Sequence, residues 1–396
     1  MDPPEVEEEV LRQDIILREF EKKHTGLVQR DEKWKKSRGH YIGGSEMSAL
    51  LGMSKYCTYF ALAEQKALEC VGKYEFKNNI NCEWGNLFEP VITSYTELDF
   101  GSKVHGDEIC VQVYPGHRNS PDGYIVIKTF LDENGNVQLK TSEHEDEPTY
   151  QVHSVILEFK CPLSRKPIPG AVPDNYRPQL WSGLSVSPMC KYGLFVDAIF
   201  KKCSLTNLDI ENTKYDSRMQ FDTPPIAIGF IGIYLNTRDE LINEYLKTVT
   251  ITKTNKFIDF GYQKKDVFEK FLLLCGEKKY FSFNYSYIMT RTGKGIDLYT
   301  KSEITSCVNG ISEDKNFIGI LPWKLFSVDY VPVSNEKDFE EDILPLIDKL
   351  HILKQEAIDS GNIKKFFMKL SEPDHPDMSI ANEDLDEIYA MMGIEK

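Results

Sequence analysis

No run of roughly eighteen apolar residues occurs in the chain, so nothing in it reads as a membrane-spanning helix. Paired cysteines are also absent. The nine thiols at 57, 70, 82, 110, 161, 190, 203, 275 and 307 stand singly. An odd, scattered set argues against a disulfide framework and a zinc ribbon, and the lack of grouped thiolates argues against an iron–sulfur cluster. Most of these cysteines are expected to be small core residues in a reducing compartment. The amino-terminal Met-Asp-Pro-Pro-Glu-Val-Glu-Glu-Glu-Val lacks the apolar stretch of a secretory signal, so the expectation is a soluble, intracellular protein without a membrane partner. Internal repeats and low-complexity tracts are missing as well. So is any excess of positive charge. The formal net charge is −15, which lowers the expectation of nucleic-acid binding. The distribution of charge matters more than its sum: Lys and Arg gather at 33–38, 160–166 and 252–265, and acid at 5–9, 143–147 and 335–347. A local basic groove on an acidic body is compatible with both.

What is present is the makeup of a globular protein: 396 residues, 41% hydrophobic and 28% charged. Apolar spacing predicts an amphipathic helix over 8–24. A second is predicted from Ser45, a good N-cap, with Met47, Leu50 and Leu51 on one face and Gly52 at its end. Helical signal follows over 58–70. Trp84, Phe88, Val91, Ile92 and Tyr95 share helical spacing, although Pro90 demands a first turn or a kink. Strands are predicted at 109–113, 124–130, 154–160 and 191–200, with a polar, acidic loop at 132–149 and a helix at 174–186. Between 204 and 315 short strand-like runs (226–235, 249–251) mix with a helix near 267–275, and no motif stands out. A β-branched and aromatic run at 317–333 and a helix at 339–357 follow, then a polar tail.

Chemistry concentrates in two places. Ser120-Pro121-Asp122-Gly123 puts a carboxylate on a turn, and Ile156-Leu157-Glu158-Phe159-Lys160 is an apolar strand bearing an acid and a base two residues apart. Side chains at that spacing share a face, so Glu158 and Lys160 project together while Val155, Leu157 and Phe159 point the other way. Two carboxylates and an ammonium suit metal-assisted phosphodiester cleavage, in which acids hold a hard cation through oxygen. Each fragment alone also reads as an ordinary turn or the wet face of a hairpin.

Three further pieces accompany this pair: Arg38 through Gly-Gly to Ser45-Glu46, Gly85 through Glu89-Pro90, and Gln179 in Tyr-Arg-Pro-Gln-Leu-Trp. In that order, with Leu157-Glu158-Phe159-Lys160-Cys161-Pro162, the chain resembles the lambda-exonuclease-like (YqaJ) viral recombinase branch of the PD-(D/E)XK nucleases over residues 30–200, and more loosely over 317–357. The resemblance implies an α/β core, a mixed central sheet flanked by helices. It implies that Asp122, Glu158 and the Phe159 carbonyl hold metal, that Glu89 serves a second ion or its water, that Lys160 is the catalytic lysine, and that Gln179 positions water and strand. Two Mg²⁺ ions are implied, with Mn²⁺ able to substitute. It places the 5′-terminal phosphate at Arg38 and Ser45, beside Lys35, and an aromatic wedge at Trp34. Residue by residue, plainer readings stand alongside: an N-cap for Ser45, a core anchor for Trp34, a surface carboxylate for Glu89. His40, His105, His117 and His153 show no ligand spacing and read as structural or exposed, and Cys161 as packing behind the strand.

The expected organisation is an acidic helical segment (1–24), a nuclease core (25–203), an inserted subdomain (204–315), a closing strand and helix (316–360) and a tail (361–396). The implied function is a Mg²⁺-dependent 5′→3′ exonuclease on duplex DNA ends. It would leave 3′ single strands for an annealing protein, as a ring-shaped homotrimer of phage or viral kind in host cytoplasm or nucleus. A structure-specific endonuclease with the same site, and an idle DNA-binding recombination scaffold, remain as alternatives.

Overall fold

A computed structural model of the protein describes residues 4–26, 32–75, 78–107, 109–132, 137–141, 150–208, 225–251, 257–277, 279–290 and 301–370. In chain order the elements that matter are α1 (Pro4–Lys23), α2 (Glu32–Ser37), β1 (Ile42–Gly43), α3 (Met47–Leu50), α4 (Tyr59–Cys70), α5 (Ile80–Phe100), β2 (His117–Arg118), β3 (Gly123–Leu131), β4 (Val137–Leu139), β5 (Gln151–Lys160), α6 (Arg177–Ser185), β6 (Tyr192–Lys202), β7 (Ala227–Leu235), α7 (Glu240–Thr248), β8 (Ile258–Asp259), α8 (Lys265–Cys275), β9 (Phe281–Thr290), α9 (Lys301–Ile311), β10 (Phe317–Val333), α10 (Leu344–Asp359) and α11 (Ile363–Leu370).

One mixed sheet organises them, in the order β4-β3-β5-β6-β10-β7-β9, with β8 beside β10. The β3–β5 pair is antiparallel and β5–β6 parallel, which requires a crossover; α6 supplies it. The predicted two-residue alternation holds in β5. Val155, Leu157 and Phe159 enter a core with Trp84, Phe88 and Ile92 of α5 and with Phe268 and Phe271 of α8. Ile156 enters a second core on the opposite face, with Leu17 of α1, Leu180 and Trp181 of α6, and Leu346 and Leu350 of α10. Helices therefore cover both faces. A side chain such as Phe159 contributes about 1.5–3 kcal/mol by its burial. Beyond Ile156 that second face changes from apolar to Glu158 and Lys160, so the sheet's edge of packing becomes the wall of a polar site.

The predicted helix at 8–24 is α1, docked on the sheet: Phe20 stacks edge-on to Tyr124 at 5.4 Å, and Ser154 donates to Gln13 Oε1 at 2.7 Å. The Thr58 hydroxyl accepts from the Ala61 N–H and caps α4, as its place in the sequence suggests. Pro90 sits mid-way in α5, which runs through it from Asn79, its N-cap, to Gly101 in the left-handed region. Two predicted strands do not form: 109–113 gives only isolated bridges, at Ile109 and at Val111, the latter to Asn119, and 249–251 is irregular. The 132–149 loop contains β4, and part of it lies outside the described residues.

Residues 204–315 leave from β6 and return to β10, and those two strands pair antiparallel from Lys202–Trp323 to Gly193–Val333. The block thus enters and leaves at neighbouring strands. Its strands nevertheless continue the same sheet: β7 pairs with β10 and β9 with β7, and α7 and α8 share the first core. Of the tail, α11 packs on α4 through Ile363 and Phe367, and 371–396 lie outside the described residues.

Candidate active site

The turn before β3 and the end of β5 are tied by two bonds. The Asp122 N–H donates to the Leu157 carbonyl at 3.3 Å, and Asp122 Oδ2 accepts from the Phe159 N–H at 2.7 Å. Gly123 makes this turn feasible. Its φ is +154°, and a Cβ there would lie 2.4 Å from Val104 Cγ1. Asp122 is thereby fixed beside Glu158, which is buried and in contact with the Lys160 ammonium. Burial pushes the Glu158 carboxyl above its usual range; Asp122 and Glu89 push the same way, and Lys160 opposes them. Burial works against the Lys160 charge, but Glu158 and Asp122 outweigh it and hold its proton more tightly than in water. Glu89, half-buried on α5, joins Asp122 within electrostatic reach of Glu158, giving a trio of carboxylates.

The trio fits a hard divalent cation by donor type, since all its ligand atoms are oxygens and a cation would offset the burial and the repulsion that lift Glu158. In the structure, however, Glu158 turns to Lys160 and Asp122 to the Phe159 N–H. Among the described residues no three His, Cys, Asp or Glu side chains converge as an ion requires. The Phe159 side chain lies in the core, and Cys161 is buried behind the strand, its thiol pushed up by burial first. Gln179 is half-buried in the first turn of α6.

Sequence reasoning missed three neighbours. The Lys160 Nζ lies 5.1 Å from the centre of the Tyr176 ring, three residues before Gln179, and that ring stacks on Phe195. Arg165 also lies over Tyr176, at 5.7 Å, and pairs with Asp197 at 2.7 Å. Asp197 is directly opposite Lys160 on β6 and opposite Asp329 on β10. Two acids facing each other across strands repel, and Arg165 on one and the Gly170 N–H on the other offset this. The Tyr176–Gln179 spacing was readable in the sequence; the Arg165–Asp197 pair was not.

The Arg38–Ser45 segment differs from its prediction. Ser45 is exposed inside a short 3₁₀ turn over 44–46, and Gly43 is the N-cap, because the Glu46 carboxylate reaches back to the Gly43 N–H at 2.8 Å. The helix that follows, α3, has only four residues. Arg38 pairs with Glu46 at 3.0 Å and Glu69 at 3.5 Å, and its guanidinium lies 5.1 Å from the ring centre of half-buried Trp34. Lys66, 1% exposed, joins the same two acids and donates to the Arg38 carbonyl at 3.0 Å. Lys35 is exposed in the last turn of α2. His117 is structural: its Nδ1 bonds the Ile42 carbonyl and its Nε2 the Ser182 hydroxyl, which accepts from Asn119. His105 pairs with Asp14, and His40 is exposed.

A sequence profile of the YqaJ-like viral recombinase domain matches residues 33–189, the span that carries Arg38, Asp122, Glu158, Lys160 and Gln179. A protein of African swine fever virus is similar across most of the chain. Its form in the Tick/Malawi isolate is 30% identical over 340 residues, 82% of this chain and 87% of that protein. Its form in the Pretoriuskop isolate is 28% identical over 378 residues, 92% and 96% of each. Two crystal structures of an alkaline exonuclease from Laribacter hongkongensis, one in complex with dAMP, align at 15% identity and a TM-score of 0.30, over 43% and 42% of this chain and 74% and 73% of theirs. The carboxylate turn and the Glu-x-Lys strand lie together at the centre of a mixed, helix-flanked sheet. The chain belongs to the YqaJ-like viral recombinase family.

Proposed function

We propose that the protein is a divalent-metal-dependent exonuclease that resects the 5′-ended strand of duplex DNA and leaves a 3′ single strand for an annealing partner. One observation carries the reading: the Asp122–Phe159 bond, which brings the carboxylate of the turn against the Glu158–Lys160 face. Asp122, Glu158, the Phe159 carbonyl and Glu89 would hold Mg²⁺, two ions in the full site, with Mn²⁺ as a substitute. Bound there, the metal supplies charge neutralisation at the phosphate and activation of water. Lys160 keeps its proton beside two acids and so acts as a fixed cation toward the phosphate and the charge developing on it, not as a base. Tyr176 restrains that ammonium, and Gln179, one turn further along α6, orients water or strand.

Arg38 and Ser45 would receive the 5′-terminal phosphate, with Lys35 nearby and Trp34 at the duplex end. Arg38 must then exchange Glu46 and Glu69 for the phosphate, at a cost in binding. That engagement favours a second reading, an endonuclease with the same chemistry and no dependence on an end. The family's trimeric ring and an action inside an infected host cell belong to the same proposal. The test compares 5′-phosphorylated with 5′-hydroxyl linear duplex in Mg²⁺, for wild type and Arg38→Ala. A preference for the phosphorylated end that Arg38→Ala abolishes supports the phosphate pocket; equal rates on both ends remove it, and cleavage of closed circular DNA selects the endonuclease.

A further inference from the structure

A cation that the site does not yet use follows the Arg38 loop in space, bonded to Ser37, and precedes Asp122 by four residues in the chain. Arg118 lies on β2, whose pairing with β1 sets it opposite Gly43, and only Asn119, Ser120 and Pro121 separate it from Asp122. Its guanidinium sits 3.4 Å above the centre of the Tyr41 ring. Its Nη1 donates to the Ser37 hydroxyl at 2.6 Å and its Nε to Gln112 Oε1 at 3.2 Å. Both acceptors are neutral. They orient the fork without cancelling its charge, and three of its five N–H donors remain.

The other half-buried arginines among the described residues are neutralised: Arg38 by Glu46 and Glu69, Arg165 by Asp197, and Arg177 by Glu336. Arg118 has no carboxylate within ion-pair distance among the described residues. A stacked, oriented guanidinium without a counter-ion matches the planar, bidentate geometry of a phosphate. Its neighbours are tied down by hydrogen bonds. Asn119 bridges to Val111 and bonds Ser182, and Ile42 donates to the Gly116 carbonyl at 2.8 Å.

We propose that Arg118 is a DNA-phosphate-binding residue, holding the strand between the Arg38 loop and the carboxylates at Asp122 and Glu158. The inference rests on the nuclease reading for the identity of the ligand, and it moves the main phosphate contact away from Arg38. Because Arg38 starts from two ion pairs and Arg118 from none, the strand meets its ready cation at Arg118.

The test is equilibrium binding of fluorescent linear duplex in EDTA, where no cleavage occurs, across a salt series and with 5′-phosphate or 5′-hydroxyl ends. Arg118→Gln is expected to weaken binding about 10- to 100-fold, the range for a lost charged hydrogen bond. It should also reduce the slope of log K against log salt by about 0.9, one phosphate contact. Arg118→Lys should restore the slope but not the full affinity, and Tyr41→Leu should weaken binding with the slope unchanged. A loss confined to 5′-phosphate ends identifies the terminal phosphate, and an equal loss on both ends identifies an internal one. Equal affinity and slope for wild type and Arg118→Gln overturn the inference. So does a loss of affinity in every variant with no change in slope, which is what a structural role produces. A wild type that binds ends through Arg118 yet hydrolyses none would overturn the nuclease reading alone.

Discussion

Replacing Asp122 separates its two roles, because the side chain both accepts a backbone hydrogen bond and stands in the carboxylate trio. Asp122→Ala removes the acceptor for the N–H of Phe159, and Phe159 is only 6% exposed. An orphaned buried donor costs about 1–3 kcal/mol, and at roughly 2 °C per kcal/mol for a chain larger than a small domain the melting temperature should fall by about 2–6 °C. Asp122→Asn keeps an oxygen acceptor at the same place, so its stability should lie within about 1 kcal/mol of wild type. Catalysis should respond differently: both variants lose a charged ligand, a loss of several kcal/mol, on the order of 10³-fold in rate. The assay pairs calorimetric melting with nucleotide release from linear duplex. Equal melting temperatures for the two variants would refute the hydrogen-bond argument, and an active Asp122→Asn would refute the ligand assignment.

Three other outcomes follow from the geometry. Gly123→Ala should cost at least about 1–3 kcal/mol in denaturant unfolding, from its backbone angle and the Val104 contact, and should abolish cleavage by displacing Asp122; wild-type cleavage would contradict this. Tyr176→Leu should lower kcat by about 2- to 30-fold with little change in KM, while Tyr176→Phe retains the ring over Lys160; an equal loss in both would contradict the cation–π role. Burial pushes the His117 imidazole down to about 4, against about 6.5 in the unfolded chain. Between those values the unfolded chain binds the extra proton, so this stability is present above pH 6.5 and is lost as pH falls toward 4, ~3 kcal/mol in all. Urea midpoints should therefore decline more steeply over that window in wild type than in His117→Gln; parallel declines would contradict the assignment.

Where local pattern decides structure, the sequence sufficed. The alternation in β5 correctly divided Leu157 and Phe159 from Glu158 and Lys160, and Thr58 marked the start of α4. Ser45 misled because the Glu46 carboxylate accepts from the Gly43 N–H and makes Gly43, two residues earlier, the N-cap in its place. Contacts between distant residues left no local trace. Arg118 meets Ser37 across 81 residues, Arg165 meets Asp197 across 32, and Lys66 meets the Arg38 carbonyl across 28. Those contacts decide which arginine is neutralised and which is ready for an anion. The role of 204–315 was hidden for the same reason: β7 finds its partner in β10 only after the whole block has been traversed.

The most direct measurement is Mg²⁺-dependent nucleotide release from linear and closed circular duplex by wild type and Glu158→Gln. Release from linear DNA alone, lost in EDTA and in Glu158→Gln, is the result expected of an end-dependent nuclease built on Asp122, Glu158 and Lys160. Release that persists in Glu158→Gln, or no release by wild type from any DNA end, would contradict it.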